Sequence, residues 1–248
     1  MKLSFVALIS AFAMLLAHNV ALSQPVPDAD AAWKQVQQAA ALWPPRLADT
    51  NQQDKVPLYK RNADIATAIA AKAKAFYTRF PDSTNAAAAK LLESKMSRLA
   101  DNLYRRYRFL HARGNPLDIK FTAVDGREVD LSRMNGHVVL VEFWATWCPP
   151  CVAEIPRIKQ VYDKYHARGF DVIGISLDTD KKALDNFLQQ HQIPWPQYFD
   201  GKERENKLDI QFGIEGIPVL WLVDKQGIMC DGNAAADLPD KIQKLLAE

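Results

Sequence analysis

Cys148 and Cys151 stand three residues apart in ATWCPPCVAE, behind Trp147 and flanking Pro149 and Pro150. A pair at this spacing can clamp a metal, staple the fold or exchange electrons. A closed zinc site needs four ligands, commonly two such pairs or one pair with spaced histidines. The chain holds one further cysteine, Cys230, and five histidines, His18, His111, His137, His166 and His191, with no ligand spacing among them. No metal is expected on that count. A permanent staple is also a weak reading, because so small a loop removes little entropy from the unfolded chain. Redox exchange explains more, and it needs no bound cofactor, since the cysteine pair is itself the redox centre.

That chemistry depends on where the two sulfurs are held. HVVLVEFWA reads as a strand continuous enough to be buried, and a helix follows from the cysteines to about Arg168. Cys148 then falls at the helix N-terminus, where unpaired N–H groups and the helix dipole favour the attacking thiolate. Cys151, one turn in, is placed to resolve a mixed disulfide. Pro150 is tolerated there because the first turn does not use its missing N–H. Side chains alternate along a strand, so Glu142 and Trp144 point one way and Val141 and Phe143 the other.

Around this centre the second half alternates. DIKFTAV, FDVIGISLD, VLWLVD and IMCDG read as strands, with KQG a hairpin turn between the last two. KKALDNFLQQH, the short stretch ERENKLDIQFG, and Leu238 to Ala247 read as helices, with IPWPQYFDG a loop. The order predicts an α/β fold, a mixed sheet with helices on both faces.

The first half has another texture. From Asp28 to about Arg113 it is rich in alanine, lysine, arginine and glutamine. Ile65, Ile69, Phe76 and Phe80 share one helical face, and Leu92, Met96, Leu99, Leu103 and Leu110 another, with Pro81, Asp82 and Ser83 between them. This predicts an antiparallel helical hairpin, preceded by a short helix ending at Pro44-Pro45 and a loop over 50–57. Gly114 and Pro116 in GNPLD mark the boundary. The expected domains are 1–23, a signal peptide; 24–114, a helical domain; and 115–248, the α/β domain.

VVLVEFWATWCPPCVAEIP together with GIEGIPVLWLVDKQG resembles the thioredoxin-fold, exported thiol-disulfide oxidoreductases related to TlpA and ResA. The likeness covers roughly Asn115 to Glu248 and leaves the helical region outside. It implies a thioredoxin-like sheet, with Cys148 as nucleophile and Cys151 as resolving cysteine. It also makes Pro218 a cis-proline facing them and helping to bind an extended substrate segment. Ile217 and Trp147 are the other expected substrate contacts, and Trp147 is expected to cover the disulfide and shield it from water. Glu142 falls where thioredoxins carry a buried aspartate that assists proton transfer. A desolvated carboxylate there has a raised pKa and can shuttle the proton of Cys151; the alternative is a structural acid. Glu154, three residues after Cys151, matches an acidic position near the active site in this group, the alternative being a helix-surface acid. The usual job of the group is reduction of protein cysteines, fed by a membrane electron donor.

Lys2 followed by an uncharged apolar run from Leu3 to Ala17, then Ala21 and Ser23 at small-residue positions, has the layout of a secretory signal peptide cleaved near Ser23. The expected location is periplasmic or otherwise extracytoplasmic. A net charge of +2 gives no reason to expect nucleic acid or anionic membrane as a partner. Trp144 is expected in the core, Trp195 packed on the body, and Cys230 buried and inert. Two other readings compete with the oxidoreductase. One is a peroxiredoxin-like thiol peroxidase, against which Ala145 stands where a threonine is usual. The other is an interaction protein whose helical domain docks a partner.

Overall fold

The computed structural model describes residues 28–43 and 55–248. The apolar leader with Ser23, the Pro44-Pro45 break and the loop over 50–54 lie outside the described residues. Two compact units emerge, one made of 28–43 with 67–96 and the other of 55–66 with 97–248. Among the described residues no helix is long and apolar enough to cross a membrane.

Three helices come first: α1, Ala29–Ala41; α2, Val56–Arg79; and α3, Ala86–Ala112. Asp28 caps α1 by accepting from the Ala31 N–H at 2.7 Å. Pro57, expected in a loop, is instead the second residue of α2, where the first turn tolerates its missing N–H. In the first unit Val36, Ala73, Phe76 and Ala89 are buried, with Trp33, Phe80 and Leu92 packed against them. Phe76 and Phe80 share the face that their spacing predicts. Ser83 shapes the turn before α3 through its Oγ, which accepts from the Asn85 N–H at 3.2 Å.

In the second unit β1, Lys120–Thr122, pairs antiparallel with β2, Glu128–Asp130. The sequence pattern gives no signal for β2, since one apolar residue between two acids carries no period. The main sheet has β3, Val138–Trp144; β4, Phe170–Ser176; β5, Gln197–Tyr198; β6, Val219–Val223; and β7, Met229–Asp231, in the order β5-β4-β3-β6-β7. β3, β4 and β5 are parallel; β6 and β7 run antiparallel to their neighbours. The loop IPWPQYFDG therefore contributes an edge strand as well as the buried Trp195.

The helices of this unit are α4, Pro149–Tyr165; α5, Lys181–Gln190; α6, Lys207–Phe212; and α7, Leu238–Ala247. Trp144 packs on Phe187 of α5, and its neighbour Phe143 on Phe212 of α6. Successive strand residues face opposite ways, so helices cover both faces of the sheet. Every residue of β3 is buried, Glu142 included. A carboxylate in such a strand is costly unless it is protonated or paired.

The last turns of α3 belong to this unit as well. Phe109 packs on Trp221, and the Arg105 guanidinium donates to the Ile214 carbonyl at 2.8 Å. Gly213, at φ +67°, lies against the same helix: a Cβ there would come within 2.3 Å of the Arg105 carbonyl oxygen. Gly213→Ala meets both backbone strain and a backbone clash. It should cost more than about 2 kcal/mol in urea unfolding, with little change in m.

Candidate active site

β3 delivers the chain to the C-terminal edge of the sheet, and residues 145–147 turn it into α4. Cys148 is the N-cap of that helix, with extended backbone angles, and its Sγ accepts from the Cys151 N–H at 3.3 Å. The two sulfurs form a disulfide, with Cα atoms 5.3 Å apart. Cys151 is fully buried and Cys148 nearly so, while Trp147 beside them is 51% exposed. Trp144 and Trp221, each inside an apolar strand run, are both at 0%. Among the described residues Trp147 is one of the few large apolar side chains left in water, and it stands directly before the buried disulfide.

The turn is held from below by a residue the sequence reading does not single out. Asp178, just beyond β4, accepts from the Thr146 N–H at 3.1 Å, the Thr146 hydroxyl at 2.6 Å and the Ser176 hydroxyl at 2.7 Å. Its position in SLDTD announces only a local turn former; that it reaches Thr146, 32 residues away, follows from the pairing of β3 with β4. Asp178→Ala should leave these buried donors unpaired and destabilise the protein by about 3 kcal/mol, read as a lower urea midpoint.

Glu142 lies inside, on the Trp144 face of β3, and burial pushes its carboxyl up to about 8, with the charge of Glu154 adding to the rise. Neither of its oxygens has a hydrogen-bond partner among the described residues. Glu154 is partly exposed and ion-paired to Arg157, whose Nε lies 2.9 Å from Oε2. Glu154 is thus close enough to be felt electrostatically by Glu142, while its own charge is balanced at the helix surface.

The Ile217–Pro218 bond is cis, as the resemblance implies. Val219 pairs with Phe143, so Pro218 enters the sheet at the end where β3 leaves for Cys148. Ile217, Pro218 and Val219 are all half-buried, presenting a partly open backbone beside that end. Cys230 departs from expectation: it is exposed, its side chain on the face of β7 opposite to Met229, which is fully buried. Its Sγ lies 3.2 Å from the Leu222 carbonyl, and partial burial with Asp224 nearby pushes the thiol up, away from the reactive form. Trp144 and Trp195 are both in the core, as expected. No group of three or more histidine, cysteine or acidic side chains able to hold a metal occurs among the described residues.

Comparison with known proteins agrees with this geometry. Residues 114–231 match the AhpC/TSA family. The thiol-disulfide oxidoreductase ResA of Bacillus thuringiensis (strain Al Hakam) is 31% identical over 106 residues, 43% of this chain and 60% of the relative. That of Oceanobacillus iheyensis is 30% identical over 104 residues, 42% of this chain and 53% of the relative. The chain therefore spans about 60% or less of the curated relatives' length. Among solved structures, the C-terminal domain of a candidate thiol-disulfide oxidoreductase from Bacteroides thetaiotaomicron superposes with a TM-score of 0.50 at 22% identity. That match covers 54% of this chain and 96% of the other. From Gly114 the chain has a thioredoxin-like fold, and residues within it are similar in sequence to ResA.

Proposed function

We propose that this chain is an exported thiol-disulfide oxidoreductase that reduces cysteine-containing proteins through Cys148 and Cys151. The observation that carries the reading is Cys148 at the cap of α4, its sulfur facing the Cys151 N–H, with Cys151 fully buried behind it. In the reduced protein that N–H and the helix N-terminus stabilise a Cys148 thiolate. The thiolate attacks one sulfur of a substrate disulfide, forming a mixed disulfide and expelling the other substrate sulfur as thiolate. Glu142 takes the proton of the Cys151 thiol, and the new thiolate attacks the Cys148 sulfur. The second substrate sulfur leaves, the enzyme is left as the Cys148–Cys151 disulfide, and two electrons have passed to the substrate. Trp147, Ile217 and Pro218 form the surface on which an extended substrate segment lies. The similarity of the domain to ResA supports this reading.

Return to the dithiol requires two electrons from a donor, which the likeness to the TlpA and ResA group suggests is at the membrane. The helical region, 24–114, is outside the matched domain and is available for a further partner. The thiol peroxidase reading is disfavoured by Thr146, whose hydroxyl is engaged by Asp178 and which stands one residue from the place where such chemistry uses a threonine.

The test is the midpoint potential of the Cys148/Cys151 pair, followed by tryptophan fluorescence in defined thiol-disulfide buffers. A two-electron transition near about −270 mV identifies a reductant, whereas one near about −120 mV identifies a disulfide donor. No transition at all, with both thiols accessible on denaturation, sinks the redox reading.

A further inference from the structure

Glu142, Gly174 and Gln197 occupy matching positions on β3, β4 and β5: Glu142 pairs with Gly174, and Gly174 with Gln197. Residues paired across a sheet point to the same face, so the Glu142 and Gln197 side chains rise on one side. Between them stands a residue with no side chain. The Gln197 amide fills that space: a Cβ on Gly174 would lie 1.9 Å from Gln197 Oε1 and 2.5 Å from Nε2. Any other residue at 174 would evict the amide from its place next to β3. Gln197 is 1% exposed.

The orientation of this amide is decided by Trp144, whose indole N–H donates to Gln197 Oε1 at 2.9 Å. With the oxygen so engaged, Nε2 must present its two N–H donors elsewhere. Nε2 has no hydrogen-bond partner among the described residues, and neither has either oxygen of Glu142. An unpaired buried donor and an unpaired buried acceptor on one sheet face, one strand spacing of about 4.8 Å beyond direct neighbours, are an arrangement that proteins rarely leave unused.

We infer that Gln197 is the positioning residue for proton transfer at Glu142: its Nε2 donates to the Glu142 carboxylate when that group ionises, with Trp144 holding the amide in the donating orientation. The inference rests on the reading of Glu142 as the acceptor of the Cys151 proton. The neutral acid has no need of this donor; the anion does, so the contact forms as the proton arrives from Cys151 and lowers the cost of the buried charge. The other charged group acting on Glu142 is Glu154 on α4, opposing ionisation while itself paired with Arg157.

The experiment is the Glu142 carboxyl titration in the oxidised protein, read by infrared from the protonated carbonyl band, with Glu142→Gln identifying the band. In Gln197→Met, which keeps the length and removes the donor, the midpoint should rise by about 1 pH unit, since a hydrogen bond to a charged group has been lost. In the unmutated protein the Gln197 side-chain amide resonances should shift with the same midpoint, and that shift should vanish in Glu142→Gln. An unchanged midpoint in Gln197→Met, or a flat Gln197 amide while the carboxyl titrates, overturns the inference and leaves Gln197 as an anchor for Trp144. These outcomes do not depend on turnover: a Glu142→Gln enzyme with normal exchange kinetics would remove the relay reading while the titration still reported the contact.

Discussion

Glutamine at position 142 should make the protein more stable at alkaline pH and slower as an oxidoreductase. Burial raises the Glu142 carboxyl from its ordinary 4.5 to about 8. Between those values the folded protein binds a proton that the unfolded chain has released, so stability falls as pH rises through this window and stays lowered above it. The interval corresponds to on the order of 5 kcal/mol for a fully buried group. Urea unfolding of the oxidised protein from pH 4 to 9 should show this loss in the unmutated chain and not in Glu142→Gln. The same substitution should slow resolution of the mixed disulfide about a hundredfold, the usual scale for a lost general base. In the unmutated enzyme that step should accelerate with pH through about 8 as the carboxylate forms. Rates and pH profile indistinguishable from the parent would assign Glu142 a structural role only.

The second large effect concerns the two sulfurs, to which the proposed mechanism gives different roles: Cys148 caps α4 and Cys151 lies one turn further in. Cys148→Ser removes the sulfur at the α4 cap and should lower exchange by more than about a thousandfold, to the background rate. Cys151→Ser should instead keep the first attack and lose the second, accumulating a covalent adduct between Cys148 and the substrate cysteine. Mass spectrometry of the non-reduced protein separates the two variants. An adduct in Cys148→Ser and none in Cys151→Ser would invert the assignment of nucleophile and resolving thiol. Cys230 should not substitute for either, because its thiol is pushed up rather than down and Asp224 stands near it.

Local grammar made much of this protein legible in the sequence. The cap position of Cys148 follows from an apolar strand running into a helix-compatible CPPCVAE, and α7 runs from Leu238 to Ala247 as its periodicity predicts. The burial of β3 follows from its unbroken apolar run, and the exposure of Glu142 to desolvation follows from being the charge within it. These are properties of neighbours in the chain, with periods of two or three to four residues, which is the range over which a sequence can be read directly.

The rest was decided by which strands lie side by side. The fate of Cys230 turned on which face of β7 the core covers, burying Met229 and leaving Cys230 out, which IMCDG does not contain. The β2 strand has no pattern of its own and exists because β1 offers it a partner. Asp178 reads as a turn former and becomes the support of the cysteine loop only because β4 is laid parallel to β3. Gly174 and Gln197 look like an ordinary strand glycine and a polar loop residue; register alone sets them in line with Glu142. The sequence by itself determined which residues could do redox chemistry and at which end of which helix. Only the tertiary structure decided which groups stand in line with the buried acid, because they come from segments tens of residues apart whose meeting is fixed by strand pairing rather than by any local pattern.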